Sequence, residues 1–198
     1  MHESPSTNAG VRKQRADAQQ NRERILKAAR KAFVEHGATV AMDDIARLAA
    51  VGSGTLYRHF PTRELLIEAV YKDEVEKLIE AGQHFLTTSA PVDALRNWML
   101  LFIDHVANKW VILPALNTVA GGSMLLVEGF HELTHDTFLQ LVQNAKQSGC
   151  LRADIEPRDV VRASMGVFFT TALRGWEESA RRIVGILIDG TRAPERQQ

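Results

Sequence analysis

The sequence predicts an all-α protein of about nine helices, and three observations carry that expectation. Apolar residues recur at three- and four-residue spacing along most of the 198 residues. Glycines and prolines interrupt this pattern about once per helix length. The one apolar run that reads as a strand, "IVGILI" at 183–188, has an amphipathic lead-in and no partner strand, so a helix is preferred.

The elements follow in order. Residues 1–16 are polar, contain Pro5 and Gly10 and show no periodicity, which predicts a disordered tail. In "NRERILKAARKAFVEHG" Ile25, Ala28, Ala29, Ala32 and Phe33 fall at helical spacing, and Gly37 supplies a stop. "MDDIARLAA" places Ile45, Leu48 and Ala49 on one face, with Asp43 and Asp44 in the first turn, where the helix dipole favours acids. "VGSG" breaks the pattern before a short helix in "GTLYRHF", which ends ahead of Pro61. Thr62 then caps a long linking helix over 62–86.

Beyond Pro91, the next helix carries a stripe of Leu95, Trp98, Phe102 and His105. A short apolar piece follows Trp110, interrupted by Pro114 and then by Gly121-Gly122-Ser123. A further long helix is expected from about Leu125 to Ser148, ended by Gly149. Pro157 starts the next, which ends at Gly175. "EESARRIVGILIDG" closes the folded part before a polar tail at 193–198.

Composition narrows the function classes. The chain is 45% apolar and 24% charged, as soluble globular proteins are. No apolar run approaches the roughly 20 residues needed to span a bilayer. No apolar segment follows the basic residues near the start, so no secretory signal is expected. With one cysteine, Cys150, no internal disulfide can form, which suits a reducing cytoplasm. Cys150 itself reads as an inert thiol, or as a redox sensor only if exposed with a low pKa. The net charge of zero hides an asymmetry: through Arg63 there are eleven Lys and Arg against six Asp and Glu, and the remainder carries thirteen against eighteen. A basic front and an acidic remainder suggest that only the front meets a polyanion.

Two short helices joined by a tight glycine-containing turn are the parts of a helix-turn-helix, whose second helix enters the DNA major groove. In the turn "AVGSG", Val51 would plug the interhelical angle and Gly52 would adopt the special backbone conformation. The stretch "MDDIARLAAVGSGTLYRHFPTRELLIEAV" closely resembles the DNA-binding domain of the TetR/AcrR family of one-component transcriptional regulators. The detailed resemblance covers about Asn21 to Tyr71, and its most specific part is Gly54 to Phe60 followed by Arg63 and Leu65.

The resemblance implies a DNA-binding domain at 17–64 and an effector-binding and dimerisation domain at 65–192. Gly52, Ser53 and Thr55 let the recognition helix come close to DNA, with Thr55 reaching base edges or a thymine methyl. Tyr57 and His59 donate to phosphates, and Arg63 is the family's phosphate clamp. Arg58 either reaches phosphate or stays a solvated surface arginine. Arg12, Lys13 and Arg15 form a flexible arm along the DNA backbone or minor groove, or merely keep the tail soluble. Leu56 and Phe60 are scaffold. Three departures stand out: Ala41 where the family often has Ser or Thr, Ala50 where it has glycine, and Gly52 where it has a capping serine. Ser53 or Thr39 is expected to compensate partially for the lost caps.

For the rest of the chain the resemblance implies a homodimer through the last two long helices, a palindromic operator and an unidentified small-molecule effector. Ala163, Ser164, Gly166 and Ala172 allow close helix approach, unless they serve an internal core. Trp98, Phe102, His105, Trp110, Met124, Phe130 and Phe169 are the candidate effector-binding residues. Repression is the family's commonest mode, and no cofactor is expected.

One motif points elsewhere. "GFHELTHD" contains H-E-x-x-H, the helical pattern by which His131 and His135 bind zinc while Glu132 acts as general base in a peptidase. A third ligand and an edge strand for the substrate are not evident, so His131 and His135 read as boundary residues on a helix whose buried face is Phe130, Leu133, Thr137 and Leu141. A zinc metallopeptidase and a helical adaptor without DNA binding remain the alternatives to a regulator.

Overall fold

The structure is a computed structural model and describes residues 6–37, 39–116, 122–168 and 175–194. Among the described residues every regular element is a helix: α1 (Ser6–His36), α2 (Met42–Leu48), α3 (Ser53–His59), α4 (Arg63–Thr88), α5 (Pro91–Leu116), α6 (Gly122–Gln147), α7 (Pro157–Phe168) and α8 (Trp176–Thr191). Eight stand where about nine were expected, because the apolar piece after Trp110 is not separate: α5 runs through Pro114 to Leu116. A proline so close to a helix end disturbs few of the ladder's hydrogen bonds.

The chain divides into two compact units, one comprising Met1–Asp73 with Val111–Ala120, the other Glu74–Trp110 with Gly121–Gln198. In the first unit α1 packs on α2 and α2 on α3. Its core takes Ile25, Leu26, Ala29, Ala32 and Phe33 from α1, and Met42, Ile45 and Ala46 from α2. Leu56, Phe60, Leu66, Ile67 and Val70 complete it. Tyr71 is also buried, and desolvation pushes its phenol well above the usual tyrosine range.

Two expectations for this unit are overturned. Residues 6–16 are not a disordered tail, since α1 begins at Ser6. The sequence there is rich in Arg, Lys, Gln and Ala, which propagate a helix once its packed half has nucleated it. Leu48 does not share the buried face of α2: it is 52% exposed, because Met42, Ile45, Ala46 and Ala49 already fill the inward positions and Leu48 falls opposite them.

In the second unit α6 packs on α7 and α7 on α8. The centre is Trp98 of α5, fully buried, with its ring 5.4 Å from Phe102 and 5.0 Å from Phe138. Its indole N–H donates to the Leu78 carbonyl of α4 at 2.9 Å, so the one polar atom of the side chain is satisfied. Gly82 makes room for this cluster. A Cβ there would overlap the Thr137 methyl group and lie 3.0 Å from the Trp98 indole nitrogen. Each fully buried Leu, Met or Phe around Trp98 stabilises the fold by roughly 1.5–3 kcal/mol.

Thr137 and Leu141 of α6 are buried as expected, together with Thr134 and Phe138. On α8 the buried stripe is Trp176, Ala180, Val184 and Ile188, which gives "IVGILI" its helical character. Ion pairs join α5 to α8, Arg96 with Asp189 at 3.4 Å and Arg181 with Asp104. Gly149, at φ 76°, ends α6, with the Cys150 N–H donating to the Ala145 carbonyl and the Gly149 N–H to that of Lys146.

Candidate nucleic-acid interface

The recognition helix α3 is seven residues long and buries only Leu56 within its span, with Phe60 buried just beyond. These two apolar side chains, four residues apart, anchor one face and leave the other to solvent. Gly52, Ser53, Gly54, Tyr57 and Arg58 are exposed, with Tyr57 46% accessible, whereas Thr55 and His59 are half-buried. The candidate DNA-contacting side chains therefore form two groups. Ser53, Tyr57 and Arg58 project freely, while Thr55 and His59 offer an edge of the side chain.

The turn between α2 and α3 is built differently from the expectation. Gly52 sits at φ −70° and ψ 147°, an extended conformation open to any residue. The left-handed residue is Ala50, at φ 52°. Its N–H donates to the Arg47 carbonyl at 3.1 Å, and the Val51 N–H donates to the Ala46 carbonyl at 3.0 Å, the paired bonds that close a helix C-terminus. An alanine thus holds the position that Gly149 holds at the end of α6. The strain is stabilised from outside, since Arg24 of α1 donates to the Ala50 carbonyl at 2.9 Å.

The helix starts are unequally capped. Neither Ala41 at the start of α2 nor Gly52 at the start of α3 makes a side-chain cap hydrogen bond. At α4 the Thr62 hydroxyl accepts from the Leu65 N–H at 3.3 Å, as expected of a cap. Backbone and Thr62 hydrogen bonds and the neighbouring Arg63 hold the Glu64 carboxyl below its ordinary range.

Arg63 is half-buried, and its guanidinium donates to the Val40 carbonyl in the segment before α2. It ties the start of α4 to the approach of α2 as well as carrying a cation to that helix end. Two arginines that the sequence did not single out frame α3. Arg22 lies over the Phe60 ring, 5.7 Å from its centroid, and Arg24 reaches the turn ahead of α3. The signal for them is positional: both stand at the edges of the buried stripe of α1, facing whatever packs on it.

The candidate effector residues separate in the same way. Trp98 and Phe102 are packed core, at 0% and 2% exposure, and His105 is half-buried on the same helix. The side chains of Trp110, Met124 and Phe130, and Phe169 altogether, lie outside the described residues, as do the side chains of His131 and Glu132. His135 is half-buried on α6. Among the described residues no group of three or more His, Cys, Asp or Glu is placed to hold a metal ion, and no helix is long and apolar enough to cross a membrane.

Comparison with known proteins agrees with this geometry. Residues 25–70 match the family model described as bacterial regulatory proteins, tetR family, and residues 90–193 match the SbtR-like transcriptional regulator C-terminal domain. The chain is similar to the HTH-type transcriptional regulator UidR of Escherichia coli K12, with 39% identity over 113 residues, covering 57% of this chain and 51% of UidR. It is also similar to the HTH-type regulator SAR0097 of Staphylococcus aureus, 40% identical over 70 residues, 34% of this chain and 36% of that protein. The matches thus span about a third to a half of the length of these curated relatives.

Among solved structures, the TetR regulator SCO0520 of Streptomyces coelicolor superposes with a TM-score of 0.73 at 36% identity, covering 86% of this chain and 98% of that one. A TetR regulatory protein of Mycobacterium vanbaalenii gives 0.72 at 31%, covering 90% and 99%. A helix-turn-helix with an exposed recognition face, followed by an all-helical second unit matched along its length, leads to one conclusion: the chain belongs to the TetR family of DNA-binding transcriptional regulators.

Proposed function

We propose that the protein is a cytoplasmic repressor that binds a palindromic operator as a homodimer and is controlled by a small-molecule effector. The observation that carries this reading is the exposed face of α3, where Ser53, Tyr57 and Arg58 stand free while Leu56 and Phe60 fix the helix to its unit. A seven-residue helix offers few base contacts, so two heads reading half-sites about one DNA turn apart supply the affinity that one head lacks. Tyr57 donates to a phosphate, Thr55 and Ser53 approach base edges, and Arg63 and His59 add contacts at the margin.

The dimer forms through α7 and α8. Ala163 and Gly166 lie on the exposed side of α7, and Ile186, 69% exposed, stands on α8 opposite its buried stripe. Small residues beside a bare isoleucine suit close helix approach by a second copy. The effector enters the second unit near His105, the half-buried polar residue at the end of the Trp98 stripe; Trp98 and Phe102 shape that region as its packed floor. A ligand that fits one arrangement of the heads better than another shifts their population and changes operator occupancy.

The test is selection of genomic DNA fragments by the purified protein, followed by titration of the enriched site against salt. The expected result is a palindromic site whose affinity falls steeply with salt. It should fall by about 1–3 kcal/mol in Tyr57→Ala, the cost of one good contact. Absence of any enriched sequence would defeat the proposal.

A further inference from the structure

The positive charge of the front of the chain lies mainly on α1, not on the reading helix. Ser6–His36 contains eight Lys and Arg against three Asp and Glu, whereas residues 37–63, which include α2 and α3, contain three against two. α1 also extends well beyond what it packs on. Arg24 meets the turn just ahead of α3 and Arg22 meets Phe60 just after it, so both ends of the recognition helix lie against one turn of α1. Ahead of that turn Arg12 and residues 14–20 are all exposed, an overhang.

On this overhang Arg12, Arg15, Gln19 and Arg22 follow each other at spacings of three, four and three, which puts them on one side of the helix. That side adjoins the buried stripe that packs on the other helices, where Arg15 and Arg22 come closest to continuing it. At 1.5 Å per residue, Arg15 lies about 10 Å and Arg12 about 15 Å along the axis beyond Arg22. The major groove is about 12 Å wide. Two guanidiniums this far along α1 from the arginine that meets Phe60 suit phosphates outside the groove that α3 enters. The described ion pairs of α1 involve Lys31, Glu35 and His36, all at its opposite end.

We propose that the N-terminal overhang of α1 is a rigid phosphate-binding extension, in which Arg12 and Arg15 engage the DNA backbone flanking each half-site. This rests on the DNA-binding role proposed above and adds a surface outside the helix-turn-helix. The extension reads no bases; it adds affinity and lengthens the protected site. Its rigidity matters, because a helix places both cations without the ordering cost that a flexible arm carries.

The test compares the full-length protein with Arg12→Ala/Arg15→Ala and with Gln20→Pro on the selected operator. Each phosphate contact contributes about 0.9 to the slope of log affinity against log salt. The double variant is expected to lower that slope by about 1.8 per head and to weaken binding by tenfold or more at moderate salt, with unchanged preference among operator sequences. Its footprint should shorten at both outer edges. Gln20→Pro keeps both charges but breaks the helix between them and the turn at Arg22–Arg24, and is expected to lower the slope as well. Equal urea midpoints for all three proteins exclude misfolding of the unit. If the parent binds a palindrome and the double variant keeps its slope and footprint, the extension makes no contact and the inference fails. If Gln20→Pro alone keeps the parent slope, the arm is flexible and the rigid extension is refuted. Failure of the parent to select any site defeats the functional proposal itself, a different outcome from either.

Discussion

Replacing Ala50 by glycine removes a single methyl group from a residue held at φ 52°. The left-handed conformation costs an L-residue with a Cβ roughly 1–2 kcal/mol, and glycine escapes that cost. Against this, glycine loses more freedom on folding, about 0.5–1 kcal/mol relative to alanine. The hydrogen bonds of the turn are unaffected, because Ala50 N–H to Arg47, Val51 N–H to Ala46 and Arg24 to the Ala50 carbonyl all use backbone atoms of residue 50 or none of it. The expected net gain is about 0.5–1 kcal/mol, read as a higher urea midpoint with unchanged slope. For a chain of this size that corresponds to a rise in Tm of about 1–4 °C. The control is Gly149→Ala, at φ 76° in the same motif at the end of α6, which should lose a similar or larger amount. A midpoint for Ala50→Gly equal to or below the parent's, with Gly149→Ala clearly destabilised, would refute the assignment of strain to Ala50.

Three further outcomes follow from the geometry. Gly82→Ala forces a Cβ into Thr137 and the Trp98 indole and should cost about 1–3 kcal/mol by thermal melt; a neutral result would mean that α4 does not approach α5 and α6 as described. Ala41→Ser restores a cap at a residue already in the extended conformation a cap requires, φ −66° and ψ 143°, and should stabilise by about 1 kcal/mol in urea. Ile186→Glu places a charge on the bare face of α8, which should shift the protein to monomer in sedimentation while its helical circular dichroism persists; an intact dimer would move the interface elsewhere.

The helices were legible because packing imposes a period. Ile25, Ala29, Ala32 and Phe33 announce α1 only where other helices cover it, and that is also why its first turns went unread. An exposed helix of Arg, Gln and Ala has no apolar period, so composition made it look like a tail. Leu48 shows the complementary error. Hydrophobicity suggested burial, but in a seven-residue helix Met42, Ile45, Ala46 and Ala49 occupy all the inward positions. At the interface, residue types marked the recognition helix correctly, while the backbone angle that sets it was assigned to Gly52 because glycine is the usual occupant. For Trp98 and Phe102 the sequence leaves both pocket and core open, with core the commoner fate of such aromatics, and it does not show that Gly82, sixteen residues away, and the Leu78 carbonyl close around the indole.

The separation of charge from reading has a consequence for how such a regulator changes over generations. Long-range attraction to DNA depends on summed charge and governs how fast the protein finds the duplex, whichever bases it meets. With that charge mostly on α1, the exposed positions of α3 can be exchanged one at a time while the rate of encounter holds nearly constant. A variant with an altered recognition helix still samples the chromosome at the parental pace and is tested on its new sequence preference alone. Ala50 supports the same freedom from the other side: the turn that aims α3 is secured by backbone atoms and by Arg24, so the aim survives when the reading surface is rewritten.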